Sequence, residues 1–163
     1  NTMAKICLVR IDSRLIHGQV MTMWSKVDGI NHILVIDDVV AKDPFMKDIY
    51  MMAVPKTLKV TIASVAEAAD MWKSNKLPDD NYLVLLKDVH TALNVWKAGF
   101  EIKSLQVGNL TPEKKTKMLH PHSRLSEEHV PELLEMQAGG VEVYAQSVPT
   151  EKKSMLKDLV KGK

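Results

Sequence analysis

Two arginines, a carboxylate and a histidine lie close together near the start of the chain. They are Arg10, Asp12, Arg14 and His17, and Gly18 follows the histidine. A guanidinium offers a planar set of N–H donors to phosphate oxygens. A neutral imidazole is a nucleophile, and a carboxylate that holds one ring nitrogen directs the other toward attack. These residue types indicate a site that handles an anion, with His17 as the candidate nucleophile.

The flanking sequence predicts the elements that would position these residues. The apolar run 6–9 is typical of a buried strand, and apolar residues at spacings of three and four predict a helix over 18–28. In open α/β sheets, ligands bind where the carboxyl end of a strand leads into a helix. A helix N-terminus disfavours an imidazolium and attracts an anion. Gly18 adds no side chain where a partner would approach His17.

A purely structural interpretation of this stretch stays open from these residues alone. His17 could simply stand at the start of a helix, with the two arginines solvated or paired to Asp12. A histidine with arginines nearby is common in proteins that carry out no such chemistry.

Strand-like and helix-like segments alternate along the chain. We therefore predict an α/β fold: a single-domain, open, twisted, mostly parallel sheet of about six to seven strands with helices on both faces. No repeat or linker divides the sequence, so residues 1–163 are predicted to form one domain. A helix over 44–53 would bury Phe45, Ile49 and Met52, with Met46 as a further candidate for its inner face. Strands are predicted at 6–9, 33–36, 58–63, 82–86, 102–107 and 141–145.

Three further residues are candidates for the edge of the site. Asp38 follows a predicted strand and could line the same sheet edge as His17, or it could cap the next turn or helix. Gly108 and Asn109 end another predicted strand. Both residue types tolerate unusual backbone angles, as a loop that crosses this edge would require.

The composition excludes several classes of protein. A formal net charge of +2 and 5% aromatic residues argue against a nucleic-acid partner. The single cysteine excludes an internal disulfide, and no apolar run approaches the length of a membrane span. The start of the sequence lacks the apolar core of a signal peptide, which predicts a cytosolic protein.

Other chemistries find little support in the sequence. His120 and His122, with His129 nearby, could suggest a metal site, but no cysteine or suitably spaced carboxylate accompanies them, so we predict no metal. The glycine-rich loops that hold ATP or dinucleotides are absent from the sequence. The basic residues in 114–124 could dock a partner of opposite charge or could be solvated surface.

The stretch RIDSRLIHGQV at 10–20, with TMWSK at 22–26, resembles the signature of the IIB components of the mannose/fructose/sorbose class of the bacterial sugar phosphotransferase system. The resemblance covers nearly the whole chain. Further similar segments are VIDD at 35–38, VAKDP at 40–44, IKSLQVGN at 102–109 and GVEV at 140–143.

The resemblance implies a phosphoryl carrier. His17 would accept a phosphoryl group through its δ1 nitrogen from a IIA phosphohistidine and pass it to a sugar held by membrane IIC and IID components. Arg14 would be the cation that stabilises the phosphate. From the residue types themselves, we expect Asp12 to orient the ring and Arg10, Ser13, Gly18 and Gln19 to complete the phosphate loop. No cofactor is implied beyond the covalent phosphohistidine. The protein would lie at the inner face of the membrane through IIC and IID, and it could form a homodimer.

Two positions depart from the family pattern. Ser13 stands where many members have Asp or Asn, and Asn109 stands where many have a second glycine. Mannose, fructose, sorbose and amino sugars all fit the resemblance. The alternative function is a non-catalytic sensor or regulatory domain of the same fold that binds an anion without turnover.

Overall fold

A seven-stranded sheet forms the centre of the molecule. The computed structural model describes residues 4–161, and of Gln19 only the backbone. The strand order is β3-β2-β4-β1-β5-β8-β9, with every neighbouring pair parallel except β8 and β9. This confirms the predicted open, mostly parallel sheet. The strands are β1 (Lys5–Asp12), β2 (His32–Ile36), β3 (Lys59–Ala63), β4 (Asn81–Leu86), β5 (Ser104–Asn109), β6 (Met118–His120), β7 (Leu125–Ser126), β8 (Glu142–Ala145) and β9 (Ser154–Met155).

Helices cover both faces of the sheet, as predicted. The first three pack with the apolar cluster that contains Ile33 and Val35, and the other four pack with the cluster that contains Leu34 and Ile36. Alternate residues of β2 thus bury opposite faces. The helices are α1 (Gly18–Thr22), α2 (Asp38–Ala41), α3 (Pro44–Met52), α4 (Val65–Lys73), α5 (Val89–Lys97), α6 (Val130–Ala138) and α7 (Leu156–Lys161), with 3₁₀ turns at Trp24–Lys26 and Glu127–His129.

Side-chain caps fix the starts of several helices. Ser64 and Glu67 exchange side-chain and backbone hydrogen bonds in a capping box at the start of α4. Asp88 accepts a hydrogen bond from the backbone N–H of Thr91 at the start of α5. Both starts agree with the sequence, because capping depends only on residues a few positions apart.

The predicted helix over 18–28 is wrong in length. Helix α1 ends at Thr22, and a 3₁₀ turn follows it. The tighter turn carries Trp24 inward, where it is 5% exposed and its indole N–H donates to the carbonyl of Ser147. Asp28, at φ 51°, and Gly29, at φ 70°, then turn the chain toward β2.

The predicted inner face of the third helix is also wrong at three residues. Phe45 and Met52 are 72% and 85% exposed, and Ile49 is 44% exposed. The helix packs through Met46, the further candidate for the inner face, and through Tyr50. Apolar residues occur on more than one side of this helix, so its sequence periodicity does not define the side that faces the sheet.

The hairpin β6–β7 and the edge strand β9 are not predicted from the sequence, and for α2 only a capping carboxylate is expected, which Asp37 provides. The hairpin β6–β7 and the edge strand β9 contain only two or three residues each, and α2 contains four. Such lengths are too short for a periodic pattern. Within residues 4–161, no helix has the length and apolar character needed to cross a membrane.

Candidate functional site

A buried carboxylate at the carboxyl end of β1 organises the site. Asp12 has no exposed surface. Its Oδ1 accepts hydrogen bonds from the backbone N and the Nε of Arg14, both at 3.0 Å. Its Oδ2 accepts from Arg14 Nη2 at 3.1 Å and Arg10 Nη2 at 3.3 Å, and it lies 3.4 Å from His17 Nε2. One side chain therefore joins both arginines to the histidine.

The surroundings of Asp12 keep it ionised. Burial by itself would raise the pKa of Asp12, but hydrogen bonds from the Arg14 side chain and backbone and the charges of Arg10 and Arg14 outweigh burial. The pKa is consequently below its ordinary value. At neutral pH the site holds a carboxylate between two guanidinium groups.

His17 stands at the mouth of the site, directly before α1. Its side chain is 20% exposed, and its carbonyl accepts the N–H of Met21 in the first turn of the helix. Burial lowers the pKa of His17 most strongly; Asp12 opposes the decrease, and the charges of Arg14 and Arg10 add to it. The pKa therefore falls below 6.5, so the ring is neutral at pH 7.

Leu15 has a left-handed backbone conformation, which turns the chain after β1 so that the His17 ring lies next to the Asp12 carboxylate. Leu15 has φ 55°, which is unfavourable for a branched side chain, and its N–H donates to the carbonyl of Asp12 at 2.9 Å. Its side chain is 1% exposed. Packing of that side chain holds the strained backbone in place. The sequence contains no glycine or asparagine here that would have signalled such a turn.

Arg10 does not present donors for a phosphate, and that prediction is corrected. Its side chain is fully buried; Nη1 donates to Gln106 Oε1 and to the carbonyl of Gln146, and Nη2 donates to the carbonyl of Ser147 as well as to Asp12. The guanidinium also lies 4.8 Å from the ring of Trp24. Arg10 is a structural cation beneath the site, and it holds Asp12.

Gly108 belongs to the site for a different reason from the predicted one. Neither Gly108 nor Asn109 has a positive φ, so the expected unusual backbone is absent at these two residues. The pairing of β1 with β5 instead skips Gly108, which lies against the Arg10 guanidinium. A Cβ at this position would overlap the atoms of that group. The glycine provides space for Arg10.

Ser13 and Asn109 connect the loop after β1 to the end of β5. The Asn109 amide donates to Ser13 Oγ at 2.6 Å, and the Ser13 N–H donates to the Asn109 carbonyl at 2.9 Å. Both residues therefore lie at the edge of the site, as predicted. The two positions that depart from the family pattern are in direct contact.

The other predicted edge residues differ in position. Asp38 follows β2 at the carboxyl edge of the sheet, which is also the edge that carries His17. Its carboxylate accepts the N–H of Val65 at 2.8 Å and so links α2 to α4, while the neighbouring Asp37 caps α2. Gly18 begins α1, and a Cβ added there would meet nothing within 4 Å. The side chain of Gln19 lies outside the described part of the structure.

A cleft of about 440 Å³ adjoins the loop at Ser13. Lys87, His90 and Lys114 contribute cationic or titratable groups to its wall, and Glu132 contributes a carboxylate. Glu128 anchors the rim, because its carboxylate accepts the backbone N–H groups of residues 113 and 114. Of the basic residues in the segment 114–124, Lys114 lines this cleft, and the role of the segment in docking stays a prediction.

The fold and the sequence are similar to those of characterised sugar-transport components. Residues 6–163 match the family described as PTS system sorbose subfamily IIB component. The crystal structure of manxB from Thermoanaerobacter tengcongensis has a TM-score of 0.88 and 37% identity, and the match covers 99% of this chain and 98% of that one. The IIBSor domain of the sorbose permease from Klebsiella pneumoniae has a TM-score of 0.86 and 27% identity, covering 97% of both chains.

A curated relative agrees with this assignment. The PTS system sorbose-specific EIIB component of Klebsiella pneumoniae is 34% identical over 113 residues, which are 68% of this chain and 69% of that protein. The family match spans nearly every residue of the α/β structure, including the loop that carries His17. The chain belongs to the sorbose subfamily of IIB components of the phosphotransferase system.

Proposed function

We propose that this IIB component is a phosphoryl carrier whose acceptor is His17. It receives a phosphoryl group from a IIA phosphohistidine and passes it to a sugar held by membrane IIC and IID components. The observation that carries the proposal is the contact between Asp12 Oδ2 and His17 Nε2, made by a ring whose lowered pKa keeps it neutral at pH 7.

This contact determines which ring nitrogen acts as the nucleophile. A proton on Nε2 is donated toward Asp12, and the lone pair of the neutral ring is then on Nδ1. In the transfer, a bond forms between Nδ1 and phosphorus while the P–N bond of the donor breaks, and the donor ring keeps that electron pair. His17 becomes cationic as the bond forms, and the carboxylate of Asp12 stabilises the cation.

Arg14 is the cation placed to stabilise the phosphoryl oxygens. Its side chain is 41% exposed, whereas Arg10 is buried beneath Asp12. The contacts to Asp12 through Nε and Nη2 fix the plane of the guanidinium beside the histidine. Phosphoryl transfer has a loose transition state, so positioning and charge stabilisation supply most of the catalysis.

The second half of the cycle transfers the group to a sugar hydroxyl. The P–N bond at His17 breaks, the hydroxyl oxygen forms the new bond, and its proton leaves to solvent or to a neighbouring base. The neutral ring is restored. This step places the protein at the inner face of the membrane whenever IIC and IID hold the sugar.

The test is acceptance of ³²P from phosphorylated IIA by the wild-type protein and by His17→Ala. We expect acid-labile labelling of the wild type and none of the variant, with thermal unfolding nearly unchanged. His122→Ala, which removes a 74% exposed histidine outside the cleft beside Ser13, is the matched control and should label normally. Labelling of His17→Ala at the wild-type level would overturn the proposal.

A further inference from the structure

Two histidines and a glutamate converge on the side of the molecule formed by the β6–β7 hairpin. Glu151 Oε2 lies 2.9 Å from His120 Nε2 and 2.8 Å from His122 Nδ1. These three atoms lie within 4.8 Å of one another. No suitably spaced carboxylate accompanies these histidines in the sequence, but the fold supplies one from 29 residues beyond His122.

The imidazole of His120 is held in a fixed orientation. Its side chain is 8% exposed, and its Nδ1 lies 2.6 Å from Ser123 Oγ and accepts the Ser123 N–H at 3.2 Å. With a metal on Nε2, the ring proton would be on Nδ1 and be donated to Ser123 Oγ, whose own proton can be donated to the carbonyl of His120 at 3.4 Å; the longer hydrogen bond from the Ser123 N–H would be lost. A hydrogen bond at the second nitrogen is the usual support of a metal-bound histidine.

Glu151 is also positioned by the surrounding backbone. Its Oε1 accepts the N–H of Ser147 at 2.6 Å, and its carbonyl accepts from Gln146 Nε2 at 2.8 Å. The first of these bonds occupies Oε1 and directs Oε2 toward both histidines. His122, by contrast, is 74% exposed, so an ion can reach the cluster from solvent.

We propose that His120 Nε2, His122 Nδ1 and Glu151 Oε2 bind one divalent transition-metal ion of the zinc type. Two nitrogens and one oxygen suit Zn²⁺, with solvent as the fourth ligand, whereas Mg²⁺ and Ca²⁺ prefer oxygen ligands. A tetrahedral ion with bonds of about 2.0–2.2 Å separates its ligand atoms by a little more than about 3 Å. The two histidine–Glu151 distances must lengthen to reach this separation, and the exposed ring of His122 can rotate to make the adjustment.

The ion would link the β6–β7 hairpin, through His120 and His122, to the segment before β9, through Glu151. That segment includes the carbonyls of Gln146 and Ser147, which accept hydrogen bonds from Arg10. Metal binding therefore stabilises the folded protein by mass action and stiffens the support beneath Asp12. We assign the ion a structural role and no step of phosphoryl transfer, because its three ligands do not include Asp12, Arg14 or His17.

The experiment is calorimetric titration of the full, untagged chain with Zn²⁺ at pH 7.5, together with the visible spectrum of Co²⁺ as a probe of coordination. We expect one site per chain and the intense Co²⁺ absorption of a four-coordinate ion. His122→Ala and Glu151→Gln should each weaken Zn²⁺ binding by more than about tenfold. His122→Ala is the principal variant because its exposed side chain contributes little to folding.

A matched control is provided by another histidine–carboxylate pair. His90 Nδ1 contacts Glu132 at 2.6 Å, but no second histidine joins them in the described structure. His90→Ala should leave Zn²⁺ binding unchanged, and Mg²⁺ should not compete. Absence of Zn²⁺ binding by the wild type, or equal binding by His122→Ala and the wild type, would reduce the cluster to an ion pair and overturn the proposal.

Discussion

The backbone of Gly108 lies directly against the buried guanidinium of Arg10. Any side chain at this position would overlap the guanidinium. The guanidinium is itself fixed by four hydrogen bonds, one each to Gln106, Gln146, Ser147 and Asp12. A glycine on β5 thus allows a cation on β1 to hold Asp12, the carboxylate that contacts the histidine.

Gly108→Ala should therefore destabilise the protein by about 1–3 kcal/mol, the usual effect of adding atoms to a packed interior. Gly18→Ala is the matched control, since its Cβ meets nothing within 4 Å, and it should change stability by less than about 0.5 kcal/mol. Urea unfolding of the two variants measures both values. Equal free energies of unfolding for the two variants would show that Arg10 can move away from the added methyl group without destabilising the protein.

Asp12→Asn should be strongly destabilising. The substitution leaves Arg10 buried without its counter-charge, and breaking a buried ion pair costs about 3–5 kcal/mol. Its effect on unfolding should exceed that of Asp38→Asn, which alters an exposed carboxylate that accepts one backbone hydrogen bond. A loss of less than about 1 kcal/mol would mean that the Asp12 carboxylate does not hold the two arginines.

The histidines at positions 17 and 90 should titrate on opposite sides of pH 6.5. Burial lowers the pKa of His17, whereas the hydrogen bond and charge of Glu132 raise the pKa of His90. NMR titration of the ring Cε1 protons, assigned with the two alanine variants, gives both midpoints. The lowered value predicts that phosphoryl acceptance persists below pH 6.5 and declines only where His17 itself becomes protonated. A His17 midpoint above 6.5 contradicts this account.

Arg14→Ala should slow transfer from phosphorylated IIA more than it weakens the binding of IIA. The guanidinium contributes to the transition state through fixed, planar donors, so Arg14→Lys, which keeps the charge, should restore only part of the rate. Single-turnover transfer and equilibrium binding separate the two effects. Equal, mild losses in both measurements would make Arg14 a surface cation only.

Much of the fold follows from local patterns in the sequence. The strand at 82–86 and the capping box at Ser64 are specified by a few neighbouring residues, and the structure agrees with both. The inward side of α3 does not follow, because Phe45 and Met52 are apolar but exposed. Burial there depends on which side the sheet occupies, and a single helix does not encode that.

The site was predictable in its principal residues but not in its geometry. The types and spacing of Asp12, Arg14 and His17 identify the loop. The burial of Arg10 depends on carbonyls of residues 146 and 147, more than a hundred positions away, and no local pattern reveals them. The contact of Glu151 with two histidines is missed for the same reason.

The most direct test of the central claim is to locate the phosphoryl group. After transfer from ³²P-labelled IIA, digestion with trypsin at alkaline pH gives a peptide covering 15–26 that contains His17 as its only histidine. We predict that the acid-labile label lies in this peptide, and that the corresponding peptide of His17→Ala carries no label after the same treatment. Label in any other peptide, such as the one with His120 and His122, would contradict it.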